Sequence, residues 1–121
     1  MKKILIAEDD NFLASAYRLK LTKAGFDVQI VEDGEKLISA LSVSAPDLIL
    51  LDLIMPVMDG FKALEIISTY QKYKSIPVII ASNLGQKEDI DRALMLGAKD
   101  FVVKSDLSLD KLIEKINKLI A

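Results

Sequence analysis

Glu8, Asp9 and Asp10 form an unbroken acidic run directly after the apolar stretch Ile4-Leu-Ile-Ala7. A further carboxylate, Asp52, closes the run Leu48-Ile-Leu-Leu51, Ser82 and Asn83 close a third, and Lys104 closes a fourth. Carboxylates brought together repel one another and cost stability unless a cation or a proton neutralises them. Oxygen ligands favour the hard cations Mg2+, Mn2+ or Ca2+, and Mg2+ suits a few carboxylates joined by carbonyl and water oxygens. Asp52 could also serve as a carboxylate nucleophile and form an aspartyl phosphate. Lys104 and the Ser82 hydroxyl would then contact phosphoryl oxygens, with the metal neutralising transition-state charge.

The composition removes competing chemistries. The chain has no Cys and no His. That excludes zinc ribbons, disulfides, thiol nucleophiles and imidazole bases. With 16 Lys+Arg against 18 Asp+Glu and a net charge of -2, it is no strongly basic nucleic-acid binder. The opening MKKILIAEDD is too short and too acidic for a signal peptide, and no apolar stretch approaches the ~20 residues that cross a bilayer. The expectation is a soluble, cytoplasmic protein with no direct nucleic-acid or membrane contact. A length of 121 residues, 51% of them hydrophobic, fits one domain over residues 1–121.

The elements that position these residues follow from periodicity. Strands are expected at Lys3 to Ala7, Asp27 to Val31, Leu48 to Leu51, Ile76 to Ala81 and Phe101 to Val103. Helical stripes lie between them: Leu13, Ala16, Tyr17 and Ala24; Phe61, Leu64 and Ile67; Ile90, Ala93 and Leu94. Leu109, Leu112, Ile113, Ile116, Leu119 and Ile120 form the last. Gly25 and Gly97 read as helix C-terminal glycines, and Asp59 and Ser108 as N-caps. The pattern is (βα)5, an α/β doubly wound, three-layer flavodoxin-like sandwich with a parallel sheet buried on both faces. In such sheets ligands bind outside the carboxyl ends of the strands. Four of the five expected strands deliver reactive side chains to that edge: Glu8-Asp9-Asp10, Asp52, Ser82-Asn83 and Lys104.

These residues carry a resemblance. The stretch Asp52-Leu-Ile-Met-Pro-Val-Met-Asp-Gly60 is similar to the phosphoacceptor signature of bacterial two-component response-regulator receiver domains. Glu8-Asp9 resembles that family's acidic pair, Ser82 its hydroxyl and Lys104 its lysine. The likeness covers essentially the whole chain. It implies strand order 2-1-3-4-5 and transfer of a phosphoryl group to Asp52 from the phosphohistidine of a sensor histidine kinase or phosphotransfer protein. It implies Mg2+ (or Mn2+) held by Glu8, Asp9, Asp52 and the Ile54 main-chain carbonyl. Ser82 and Phe101 would act as switch residues, flanked by Asn83 and Leu84. The fourth helix, fifth strand and fifth helix would change partner preference, and could also form a homodimer. The chain would catalyse its own phosphoryl transfer and dephosphorylation without being a conventional turnover enzyme. Its downstream partner is another protein or an output domain.

Plainer roles stand beside these. Asp52 could cap a turn before Pro56, Asp9 or Asp10 could cap the first helix, Ser82-Asn83 could form a turn, and Phe101 could be packing as well as switch. Asp10 is read as the cap, because the family pattern uses the two positions before it. Ser105 stands where many family members have a cis proline. A cis bond before a non-proline costs about 3 kcal/mol, so the loop could be trans with Lys104 held differently, and the sequence leaves that geometry open. Apolar Ile54 and Leu84 could shield an aspartyl phosphate from water. Two other classes remain: a receiver-fold interaction module that no longer cycles phosphate, and a nucleotide or flavin binder. The latter would want a Gly/Ser/Thr-rich loop where Glu8-Asp9-Asp10 stands.

Overall fold

Parallel strands cannot be joined by tight turns, so each apolar run is followed by a crossover long enough to hold a helix. The computed structural model describes residues 1–106 and 108–120. The elements are β1 (Lys3–Ala7), α1 (Asn11–Lys23), β2 (Asp27–Val31), α2 (Gly34–Val43), β3 (Leu48–Leu51), α3 (Gly60–Thr69), β4 (Val78–Ser82), α4 (Lys87–Met95), β5 (Asp100–Val103) and α5 (Leu109–Ile120). A short 3-10 turn, Lys104–Asp106, follows β5. All strand pairs are parallel, and the order is β2-β1-β3-β4-β5, as expected.

The period-2 alternation of strands sorts the core into two layers. Leu5, Ala7, Ile49, Leu51, Val78 and Ile80 pack with Leu37 and Leu41 of α2, Leu64 and Ile67 of α3 and Ala93 of α4. Ile4, Ile6, Leu48, Leu50, Ile79 and Ala81 pack with Tyr17 and Leu21 of α1 and Leu112 and Ile116 of α5. The central strands β1, β3 and β4 are buried on both faces, apart from partly buried Lys3. The edge strands β2 and β5 are not, because each has a neighbour on one side only.

Strand and stripe boundaries differ modestly from expectation. β4 begins at Val78 and not Ile76: Pro77 has no N–H for the ladder, although its carbonyl accepts from Ile49 N at 3.0 Å. Leu94 and Leu119 are 44% and 38% exposed, at the margin of their stripes, while Ala93, Leu112 and Ile116 fill the centre. Asp10 caps α1, accepting from Phe12 N and Leu13 N, and Asp59 caps α3 through Lys62 N. Ser108 reaches Lys111 N at 3.5 Å. Gly25 and Gly97 have φ of +96° and +112°. Among the described residues, no helix is long and apolar enough to cross a membrane.

Candidate functional site

The sheet ladder carries β1 and β3 one residue beyond their ends. Glu8 N donates to Val31 O at 2.9 Å, and Asp52 N donates to Ala7 O at 3.1 Å. Alternation then sets Glu8 on the face of Ile6 and Asp52 on the face of Leu50, the side covered by α1 and α5; Lys104, first residue of the 3-10 turn after β5, joins them through its side-chain contacts. Ser82 and Phe101 follow the opposite parity, that of Ile80 and the layer beneath α3 and α4. The candidate residues therefore share one sheet edge but approach it from two faces.

The first group converges tightly. Lys104 Nζ lies 2.7 Å from Glu8 Oε1 and 2.8 Å from Asp52 Oδ2. Glu8 and Asp52 are buried, and Asp9 is exposed at the mouth. Carboxylate oxygens of Glu8, Asp9 and Asp52 come within 4.8 Å of one another. Glu8 Oε2 also accepts from Asp10 N at 3.1 Å, and Asp52 Oδ1 from Ile54 N at 3.4 Å. Burial pushes the Glu8 carboxyl above its usual range, and hydrogen bonding to Lys104 partly offsets this. Burial pulls the Lys104 ammonium down, but its bonds to Asp52 and Glu8 prevail and hold it above its ordinary value. The Lys104–Ser105 bond, whose geometry the sequence leaves open, is trans, and Lys104, first residue of the 3-10 turn, reaches both carboxylates.

Ser82 and Phe101 stand apart. The Ser82 hydroxyl is fully buried and accepts from Leu84 N at 3.2 Å. Among the described residues no hydrogen bond joins it to Asp52 or Lys104. Phe101 and Leu84 are half-buried against the α3/α4 layer, Asn83 is exposed, and the Ile54 side chain is 58% exposed beside the site. Open clefts of about 490 Å³ and 590 Å³ flank the carboxylates, one against Glu8 and one against Asp9.

The loop from β3 to α3 holds features that periodicity does not reveal. Val57 has φ of +68°, unusual for a β-branched residue, and Met58 N closes a tight turn onto Pro56 O at 2.7 Å. Gly60 N donates to Leu53 O at 2.9 Å, and a Cβ at Gly60 would lie 2.1 Å from the Asp52 carbonyl oxygen. The one available signal is a glycine directly after the cap Asp59, where a helix former would ordinarily stand.

Fold and site together define the class. The family model described as the response regulator receiver domain matches residues 4–117, and the chain belongs to that family. Its class works in phosphorylation-dependent signalling in two-component systems. The chain is 36% identical over 117 residues to chemotaxis protein CheY of Bacillus subtilis, covering 96% of this chain and 95% of that one. It is 34% identical over 121 residues to the DNA-binding dual master transcriptional regulator RpaA of Synechocystis, covering 99% of this chain and 49% of RpaA. The chain thus spans about half the length of that longer relative. Among solved structures, the Francisella response regulator 1452 receiver domain superposes with a TM-score of 0.91 at 31% identity, covering 99% of this chain and 97% of that one.

Proposed function

We propose that this chain is a phosphorylation-activated switch whose phosphoacceptor is Asp52. The observation that carries the reading is the buried Asp52 carboxylate, 2.8 Å from Lys104, with Glu8 and Asp9 oxygens within 4.8 Å. An Asp52 oxygen attacks the phosphorus of a phosphohistidine on a sensor histidine kinase or phosphotransfer protein. The P–O bond forms as the P–N bond breaks; the bonding pair stays on the imidazole nitrogen, which takes a proton from water as the ring leaves. Lys104 turns from the carboxylates to the incoming phosphoryl oxygens, and the Ser82 hydroxyl gives up Leu84 N–H to do the same. Phe101, on the Ser82 face of the sheet, transmits the change to α4, β5 and α5.

The donor set fits a divalent cation. It is all oxygen, it clusters, and burial of Glu8 disfavours an unneutralised charge there. Glu8, Asp9, Asp52 and the Ile54 carbonyl would hold Mg2+, or Mn2+ in its place. The cation, when bound, supplies neutralisation of charge on the transferring group. Ile54 and Leu84 shield the product from water.

The α4–β5–α5 surface is the proposed output face. Its charges are partly engaged within the chain: Lys87 pairs with Asp91 at 3.0 Å and Lys115 with Asp100 at 2.9 Å, while Arg92 stacks over the Phe61 ring at 4.0 Å. Exposed Met95 and Leu94 give it apolar area for a downstream protein, an output domain or a second copy.

The test is binding of beryllofluoride, a phosphoryl mimic, in the presence of Mg2+. Amide shifts in β4, α4 and β5 are expected in the wild type and not in Asp52→Ala. No change in the wild type would overturn the switch reading and leave an interaction module on the receiver fold.

A further inference from the structure

Tyr17 carries a polar atom that the fold does not use. It is 1% exposed, in the second turn of α1, among Ile6, Leu50, Leu112 and Ile116. Its hydroxyl is the buried side-chain oxygen or nitrogen without a hydrogen-bond partner among the described residues. Packing alone explains the ring and not the oxygen. A buried hydroxyl left unpaired costs about 1–3 kcal/mol, and a phenylalanine here would avoid that cost.

Direction places the hydroxyl. Long side chains on a helix lean toward its N-terminus. α1 begins at the sheet edge where β1 ends, so Tyr17 leans toward Glu8 and Asp52. Those two residues lie one alternation above Ile6 and Leu50, the neighbours of Tyr17 in its own layer. The negative field of Glu8, and then of Asp52, reinforces burial in holding the Tyr17 proton on its oxygen. The group is therefore a committed donor within electrostatic reach of two buried carboxylates.

Both carboxylates are served from above by one ammonium, through Glu8 Oε1 and Asp52 Oδ2. Were a divalent cation held by Glu8, Asp9 and Asp52, its charge would repel the Lys104 ammonium, and Glu8 would lose that donor. We infer that Tyr17 is a positioning residue for the acidic site, its hydroxyl donating to Glu8 when Lys104 withdraws. This rests on the switch reading, because it requires a state in which Lys104 leaves Glu8. It explains the orphan: the hydroxyl is unpaired while Lys104 occupies the carboxylates and paired when it does not.

The experiment is a Mg2+ titration of the full chain, comparing wild type with Tyr17→Phe, followed by near-ultraviolet tyrosine absorption and by backbone amide shifts. In the wild type, Mg2+ should produce a saturable tyrosine difference spectrum that persists in a Tyr70→Phe, Tyr73→Phe double variant. Tyr17→Phe should abolish that spectrum and weaken Mg2+ binding by about five-fold, while thermal stability without Mg2+ stays the same or rises. Unchanged Mg2+ affinity in Tyr17→Phe, or a spectrum that survives it, would overturn the inference while leaving the switch reading intact. No saturable Mg2+ response in the wild type would overturn both. A stability loss without Mg2+ would assign the hydroxyl a folding role and overturn the inference as well.

Discussion

The Lys104 ammonium donates to the Asp52 carboxylate at 2.8 Å, joining residues 52 positions apart in sequence. With its second contact to Glu8, this one side chain balances two buried carboxylates. Removing one partner of a buried ion pair is far costlier than never burying it, because the remaining charge is stranded. Lys104→Met should therefore destabilise the chain by about 3–5 kcal/mol in chemical denaturation at neutral pH. Part of that loss should return when Mg2+ is added.

Glu8 gives a pH dependence of definite sign. Its folded pKa lies above the ordinary value of 4.5 because it is buried. The folded chain holds this proton at pH values where the unfolded chain has released it, so the Glu8 contribution to stability declines as pH rises from 4.5 through the folded value. Lys104 contributes with the other bound: its stabilisation is fully present below 10.5 and is lost as pH rises through its elevated folded value. In Lys104→Met the Glu8 pKa should move further up, since both lowering influences of Lys104 are gone. Carboxyl NMR titration of Glu8 in the two proteins measures the shift, and an unchanged value would contradict the pairing.

Mg2+ should raise the melting temperature by binding the folded chain alone. At a hundredfold excess over Kd the stabilisation is about 2.7 kcal/mol. An Asp9→Asn, Asp52→Asn double variant should lose most of this shift. Equal shifts in both proteins, read by calorimetry, would place the cation elsewhere.

Two glycines should respond differently to the same substitution. Gly60→Ala sets a Cβ 2.1 Å from the Asp52 carbonyl oxygen and 2.7 Å from Leu53 Cα, so backbone must move. The expected cost is at the upper end of about 1–3 kcal/mol, together with a weakened Mg2+ response. Gly25→Ala meets nothing within 4 Å, and only its φ of +96° opposes the side chain. Its cost should be about 1 kcal/mol with the Mg2+ response intact.

Ile54→Asn with Leu84→Glu should accelerate loss of the aspartyl phosphate by about ten-fold, by giving water polar partners at the site. Phosphate release after removal of excess phosphodonor measures the rate. An unchanged rate would show that these side chains do not shield the product.

Much of this was legible in the sequence, for identifiable reasons. Buried parallel strands read as continuous apolar runs, so their carboxyl ends, and hence the edge holding Glu8, Asp9, Asp52, Ser82 and Lys104, could be marked directly. The caps Asp10 and Asp59 were legible because side-chain capping is local. What periodicity does not carry is the face from which each residue approaches. Lys104 reaches Glu8 and Asp52, while Ser82 turns to Leu84 on the other side, and that division depends on register and on the chain beyond the last ladder bond. Tyr17 read as one more apolar position of α1, because the stripe reports where a ring packs and not where its hydroxyl ends. Likewise, the close approach of Gly60 to the Asp52 carbonyl lies outside any periodicity, and its one local trace is a glycine directly after the cap Asp59.

Asp52 is the proposed acceptor of the phosphoryl group, and every other proposed role depends on it. Its most direct test is the intact mass of the protein after incubation with acetyl phosphate and Mg2+. A single added phosphoryl group is expected on the wild type, dependent on Mg2+, labile as an acyl phosphate and absent from Asp52→Ala. An unmodified wild type, or equal modification of Asp52→Ala, would contradict it.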